Sequence, residues 1–187
     1  MPRASLQILL AIVLGMAATY YWDPRAARVA DPDTSARRQA LPQAYLQSPL
    51  SWTYNEQGYL TDILEAASVE QYPQRDESLI EAPRFYAHSG DDKTWSATAA
   101  RGRFQNSTEI LTLLENVSLS HDQTGARVET AEMDIDLDTK TATSRNPVTI
   151  TFDDNVTRAD GMIARLETET LMLMPNVESI YVQPPPR

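Results

Sequence analysis

Two stretches decide the fold of this chain: Glu132-Met133-Asp134-Ile135-Asp136-Leu137-Asp138 and Val148-Thr149-Ile150-Thr151-Phe152. In the first, Met133, Ile135 and Leu137 alternate with Asp134, Asp136 and Asp138. That two-residue period puts apolar side chains on one face of a strand and carboxylates on the other. In the second, Val148, Ile150 and Phe152 alternate with Thr149 and Thr151, and β-branched residues suit a half-buried pleated surface. Asp138-Thr139-Lys140 and Ser144-Arg145-Asn146, between the two, have turn-type composition.

Working outward, further strands are expected at Leu79–His88, Thr94–Gly102, Ile110–Leu119, Arg127–Met133, Gly161–Leu166, Leu171–Met174 and Glu178–Val182. After residue 50 only Thr61–Val69, with Ile63, Leu64 and Ala67, also fits a helical stripe. The expected fold is all-β. A small–polar–apolar triplet recurs as Ala67-Ser68-Val69, Gly102-Arg103-Phe104, Ala131-Glu132-Met133 and Ala164-Arg165-Leu166, each followed after a turn by an apolar strand. Such a period predicts stacked antiparallel layers rather than a closed barrel. A stack leaves strand edges at its two ends, and unpaired edges are either protected or used for docking.

The amino end predicts a different element. Ala4 to Trp22 carries no charged residue and ends in Tyr20-Tyr21-Trp22, an aromatic cluster of the kind found at headgroup level. At about 1.5 Å per residue this run just spans a bilayer core. We read residues 4–22 as a transmembrane helix behind a short terminus, residues 1–3. A cleaved signal peptide ending near Gly15-Met16-Ala17 is the alternative. Charge does not fix the direction of crossing: Arg3 precedes the run, while Arg25, Arg28, Arg37 and Arg38 follow it. Pro24, Pro32, Pro42 and Pro49 mark residues 23–49 as a linker, with the β-domain occupying 50–187.

Composition excludes several functions. A formal charge of −10 and no basic cluster beyond Arg37-Arg38 argue against nucleic acid as a partner. The chain has no cysteine, so disulfides, thiolate metal sites and a cysteine nucleophile are excluded. His88 and His121, the two histidines, lie far apart in turn-like sequence and read as surface residues rather than metal ligands. Asp134-x-Asp136-x-Asp138 lacks the glycine and terminal glutamate of a calcium loop, and reads as a solvated strand face. Asn-x-Ser/Thr triplets at Asn106, Asn116 and Asn155 fall where turns are expected. No nucleophile elbow, phosphate loop or acid–base pair stands out, so the expected function is binding, with no enzyme activity, metal or cofactor.

What remains is an apolar surplus. Ile110-Leu111-Thr112-Leu113-Leu114 and Leu171-Met172-Leu173-Met174 are apolar on both strand faces. Either these strands lie in a thick core, or they line a cleft between sheets that accepts acyl chains. Met133, Met162, Met172 and Met174 would suit such a lining, because methionine adapts to irregular apolar shapes.

These residues, in this order, resemble the lipopolysaccharide-export protein C (LptC) family. The resemblance rests on Tyr54-Asn55-x-x-Gly58, Pro83-x-Phe85, Thr94-Trp95 with Ala99, Leu111-x-Leu113-x-x-Asn116-Val117 and Gly161-Met162-x-Ala164-x-Leu166 with Leu171-x-Leu173. It covers Trp52 to Val182 behind an amino-terminal span. It implies an open β-jellyroll of two facing antiparallel sheets, anchored in the inner membrane with its bulk in the periplasm. It further implies that the chain accepts lipopolysaccharide from the membrane and ATPase subunits of an ABC transporter and passes it to a periplasmic β-jellyroll bridge protein. A membrane-tethered assembly scaffold that binds proteins through its edges is the alternative. Alternation and the family fold together make Phe85, Phe104, Leu113, Met133, Ile135, Ile150 and Phe152 the candidate lipid lining. The same residues would form core if the cleft is closed. Tyr54, Gly58 and Leu60 are expected at one docking edge and Tyr181 and Val182 at the other, with Gly161 supplying a positive-φ turn.

Overall fold

The computed structural model describes residues 41–89 and 92–181, which lie in a compact unit beginning at Leu41. The described residues form strands β1 (Ala44–Gln47), β2 (Leu50–Tyr54), β3 (Leu60–Glu65), β4 (Ser68–Tyr72), β5 (Glu77–Glu81), β6 (Arg84–Ser89), β7 (Asp92–Thr98) and β8 (Arg101–Gln105). They continue as β9 (Ile110–His121), β10 (Arg127–Asp136), β11 (Thr141–Ser144), β12 (Val148–Phe152), β13 (Asn155–Ala159), β14 (Met162–Arg165), β15 (Thr170–Leu173) and β16 (Glu178–Ile180). All pairings are antiparallel. The predicted membrane span at residues 4–22 lies outside the described residues. Among the described residues no helix is long and apolar enough to cross a membrane.

The strands divide into two sheets that share the long β9–β10 hairpin. Sheet I runs β1-β4-β5-β8-β9-β10-β11-β14-β15, and sheet II runs β2-β3-β6-β7-β9-β10-β12-β13-β16. Ile110–Leu114 and Glu132–Asp136 pair in sheet I, whereas Val117–Ser120 and Arg127–Thr130 pair in sheet II. Between them Glu115 and Asn116 take left-handed φ values of 62° and 54°, and the register slips between Thr130 and Glu132. A bulge of this kind bends a strand, which here passes from one sheet to the other.

Elsewhere the chain makes the same crossing at tight corners. Backbone bonds join successive corners: Ser48 N–H to Ala67 C=O (2.9 Å), Ala67 to Glu81 (2.9 Å), Ala82 to Ala100 (2.8 Å) and Ala100 to Glu115 (2.9 Å). Near the other end, Met174 N–H donates to Gly161 C=O at 2.9 Å. The corners from Ser48 to Glu115 thus stack into a backbone-bonded seam, which the Thr130 hydroxyl continues by donating to the Pro147 C=O at 3.1 Å, and the two sheets diverge from it as the arms of a wedge. Small residues serve this seam because facing backbones must approach closely. At Gly161 a Cβ would lie 2.6 Å from the Ser144 carbonyl oxygen and 2.8 Å from Met174 Sδ. Gly161 is therefore demanded by close approach; the positive φ expected of it is not found.

The inner faces follow the alternation. In sheet I, Val69, Ile80, Gly102, Leu113 and Met133 stand opposite one another across successive strands. In sheet II the matching row is Leu64, Phe85, Ala97, Leu119, Val128 and Ile150. Together they form one apolar core, with Leu111, Leu113, Leu119, Met133 and Ile135 at 0% exposure. Fully burying each such side chain is worth about 1.5–3 kcal/mol.

Two boundaries differ from expectation. β1 lies inside the stretch read as linker, because Ala44–Gln47 completes the free edge of β4. The ambiguous Thr61–Val69 stretch is β3 after its first residue, a corner at Ala66-Ala67, and the start of β4.

Candidate functional site

The predicted lining separates into three groups. Phe85, Leu113, Met133 and Ile135 meet in the interior at 0–1% exposure. Phe104 and Ile150 are half-buried against that cluster. Phe152 does not belong with them, being 45% exposed. The β10–β12 register begins at Arg127 opposite Thr151, so Phe152 lies past the end of its neighbour and keeps only Asn155 of β13 beside it. Of the other methionines proposed for the lining, Met162 is at 0% exposure while Met172, on edge strand β15, is 55% exposed. Interior residues outside the seven candidates, such as Leu111, Trp95, Ala97 and Leu119, carry the same alternation.

The wide side of the wedge, opposite the seam, is closed by polar contacts from sheet I turns to sheet II strands. Lys140 Nζ donates to Asp62 Oδ2 of β3 at 2.5 Å, with the two side chains 17% and 5% exposed. Thr61 Oγ1 donates to the same oxygen, and Asp62 Oδ1 is buried without a hydrogen-bond partner. Trp95 Nε1 of β7 donates to the Leu166 carbonyl at 3.0 Å. His121, at the end of β9, accepts the Thr124 amide at Nδ1 and directs Nε2 at the Glu169 carboxylate, 3.4 Å away. Its ring meets Trp95 edge-on at 4.6 Å. The expectation that His121 is a surface residue is thus overturned: it is 5% exposed, because the turn after β14 folds over it.

Carboxylates on the outer face of sheet I fix turns. Asp136 accepts the amides of Thr139 (2.9 Å) and Asp138 (3.0 Å), holding the turn that carries Lys140. These bonds, the Thr139 amide first, keep its carboxyl below the ordinary aspartate range. Asp76 likewise accepts the Ser107 amide at 3.0 Å, and hydrogen bonding from Ser107 lowers its pKa. A depression of about 530 Å³ lined by Asp134, Asp136, Thr143, Arg145 and Arg165 lies away from the apolar interior. Among the described residues no group of three His, Asp or Glu side chains is placed to share a metal ion.

The ends of the stack are open. β1 and β15 are the outer strands of sheet I, and β2 and β16 those of sheet II. Tyr54 of β2 is 59% exposed and Gly58 sits in the Asn55–Tyr59 turn with φ 83°. Leu60 belongs to β3, paired to Tyr54, and so stands one strand in from the edge. Trp52 and Leu50 extend the exposed apolar strip of β2. At the far end Ile180 and Tyr181 are 58% and 79% exposed, and Val182 lies outside the described residues.

This architecture has a solved counterpart. The crystal structure of LptH from Pseudomonas aeruginosa, described as the LptA-homologous periplasmic component of the conserved lipopolysaccharide transport device, superposes with a TM-score of 0.51 at 8% identity. The match covers 66% of this chain and 95% of that one, and establishes a shared fold. No curated protein sequence matches. The family model for lipopolysaccharide-assembly, LptC-related proteins matches residues 10–182. The chain belongs to the LptC-related lipopolysaccharide-assembly family.

Proposed function

We propose that this chain is the inner-membrane-tethered member of a lipopolysaccharide export bridge. It accepts lipopolysaccharide from an ABC transporter, through the transporter's membrane and ATPase subunits, and passes it to a periplasmic jellyroll protein. The observation that carries this reading is the family match over residues 10–182, which begins within the predicted span and runs past β16. In it, residues 4–22 anchor the chain and the β-domain stands in the periplasm. The acyl chains enter between the sheets beside Phe85, Phe104, Leu113, Met133, Ile135 and Ile150. With a net charge of −10, this chain must draw an anionic glycolipid by apolar burial, at about 25 cal/mol per Å². The exposed strips on β2 and β16 dock the neighbouring jellyrolls edge to edge. Energy for transfer comes from the transporter, so no catalytic residue is required.

The test is photo-crosslinking in cells. Photoreactive residues at Phe85, Leu113, Met133 and Ile135 should capture lipopolysaccharide, and those at Trp52 and Tyr181 should capture protein. Adducts absent from all four inner positions would overturn the lining.

One observation favours the scaffold reading instead: the four innermost candidates are sealed from solvent. Native mass spectrometry of the purified chain separates the two. Bound lipopolysaccharide supports a carrier, whereas partner proteins without lipid support a scaffold.

A further inference from the structure

The sealed interior raises the question of where a carrier would open. From Ser48 to Glu115 the seam is joined by backbone hydrogen bonds from corner to corner, and its parting there would break a ladder. The opposite side carries side-chain contacts between the sheets, made by residues far apart in sequence. Lys140 and Asp62 are 78 residues apart, and Trp95 and Leu166 are 71.

The turns that supply these contacts are alike. Sheet I has turns ending at Asp76, Glu109, Lys140 and Glu169, each with a left-handed φ of 48–54°. Glycine or asparagine ordinarily fills such a position. Here all four are charged, and two of them, Lys140 and Glu169, reach across to Asp62 and His121 of sheet II. Between these two contacts Trp95 caps the cluster, packing on His121 and bonding to the turn after β14.

We propose that Asp62–Lys140, Trp95–Leu166 and His121–Glu169 form a clasp across the wide side of the wedge, which must release for an acyl chain to enter between the sheets. The inference rests on the carrier reading and adds to it the route of entry. Asp62 is the central element: its carboxylate is buried, one oxygen is unpartnered, and the Lys140 ammonium is its ionic partner. Closure therefore depends on a contact that a lipid headgroup or a moving neighbour can compete for.

The experiment uses the full chain in detergent and lipopolysaccharide as the probe. Replacing both charges, D62N/K140M, leaves no buried ion unpaired, so the fold is retained while the attraction is lost. Lipopolysaccharide association should quicken roughly tenfold, since a binding-competent state that is more populated raises apparent affinity and on-rate in proportion. The chain has no cysteine, so D62C/K140C provides one thiol pair. Bridging that pair with a short bis-methanethiosulfonate, which forms a disulfide to each cysteine as methanesulfinate leaves, should abolish uptake, and reduction should restore it. In the unaltered chain the Trp95 indole N–H resonance should move and lose solvent protection when lipopolysaccharide binds. Uptake at an unchanged rate in D62N/K140M, or undiminished in the bridged variant, would overturn the clasp while leaving the carrier reading intact. No binding to the unaltered chain or to D62N/K140M would overturn the carrier reading, and the clasp with it.

Discussion

The seam and the wide side of this domain join the same two sheets by different means. At the seam, backbone amides of Ser48, Ala67, Ala82, Ala100 and Met174 donate to carbonyls of the neighbouring corner, and the side chains are mostly small. Across the wide side Lys140, Trp95 and Glu169 reach over by their side chains. Backbone pairing is indifferent to most substitutions but intolerant of added bulk, because strands and corners must approach closely. Side-chain pairing is the reverse: it tolerates bulk and fails when one partner is removed. The seam is accordingly the fixed hinge of the wedge, and the opposite side is where sequence can tune closure.

The largest expected effect lies at the seam. Gly161→Val puts a branched side chain where a Cβ alone would stand 2.6 Å from the Ser144 carbonyl. Overpacking of this kind costs about 1–3 kcal/mol, and occasionally more, when side chains can give way; a backbone carbonyl cannot. Urea denaturation should show a loss of at least about 3 kcal/mol or failure to fold. A cost below about 1 kcal/mol would mean that the corners slide freely and that the seam is no hinge. Next comes Lys140→Ala on the wide side. It strands the Asp62 carboxylate, 5% exposed, without its cation. Breaking a buried pair by removing one partner costs about 3–5 kcal/mol, and the lower end is expected here because Lys140 remains 17% exposed. D62N/K140M should recover most of that loss in the same urea titration.

The alternation of Met133, Ile135, Val148 and Ile150 in the sequence identified a β-protein, and their positions on the inner faces follow from it. The corners were harder to see. Leu79–His88 and Thr94–Gly102 read as single strands, yet each is two strands meeting at a corner, at Ala82-Pro83 and Ala99-Ala100. Both arms of a wedge point their apolar residues at one interior, so the pattern carries on through the bend. The triplet repeat matched the layering in period but not in place: Ala67 and Ala131 lie at crossings, whereas Gly102 and Ala164 lie inside β8 and β14, and it is the turns ending at Asp76, Glu109, Lys140 and Glu169 that mark each layer. The polar contacts of the wide side were not legible, since nothing near Asp62 in sequence marks Lys140 as its partner. The exposure of Phe152 was not legible for a related reason: alternation gives the face of a strand but not where the neighbouring strand stops.

A smaller effect sharpens the comparison through the turn that presents Lys140. Asp136 holds that turn by accepting the Thr139 and Asp138 amides, which lower its pKa. A carboxyl whose folded pKa is depressed contributes stability above its unfolded value, and that contribution is lost as pH falls through the folded one. Between neutral pH and the ordinary aspartate range the turn should be unaffected, and it should loosen only in stronger acid. Asp136→Ala should cost about 1 kcal/mol, the usual net worth of such hydrogen bonds, and remove that acid sensitivity. Amide exchange at Thr139 gives the readout; protection unchanged by the substitution would show that Lys140 is placed by other means.

The smallest effect is expected from the ion pair that sits on the seam itself. Arg101 and Glu115 are bonded to each other, yet their side chains are 57% and 52% exposed. Water competes for both charges, so such a pair contributes little to stability. The Ala100 amide reaches the Glu115 carbonyl, not its carboxylate, and that backbone bond survives any change at Arg101. Arg101→Met should therefore leave the urea midpoint within error of the parent and lipopolysaccharide uptake unchanged, in contrast to Lys140→Ala. A loss comparable to that of Lys140→Ala would erase the distinction between the two sides of the wedge. The seam would then depend on charged side chains as the wide side does, and either could be the place where the sheets part.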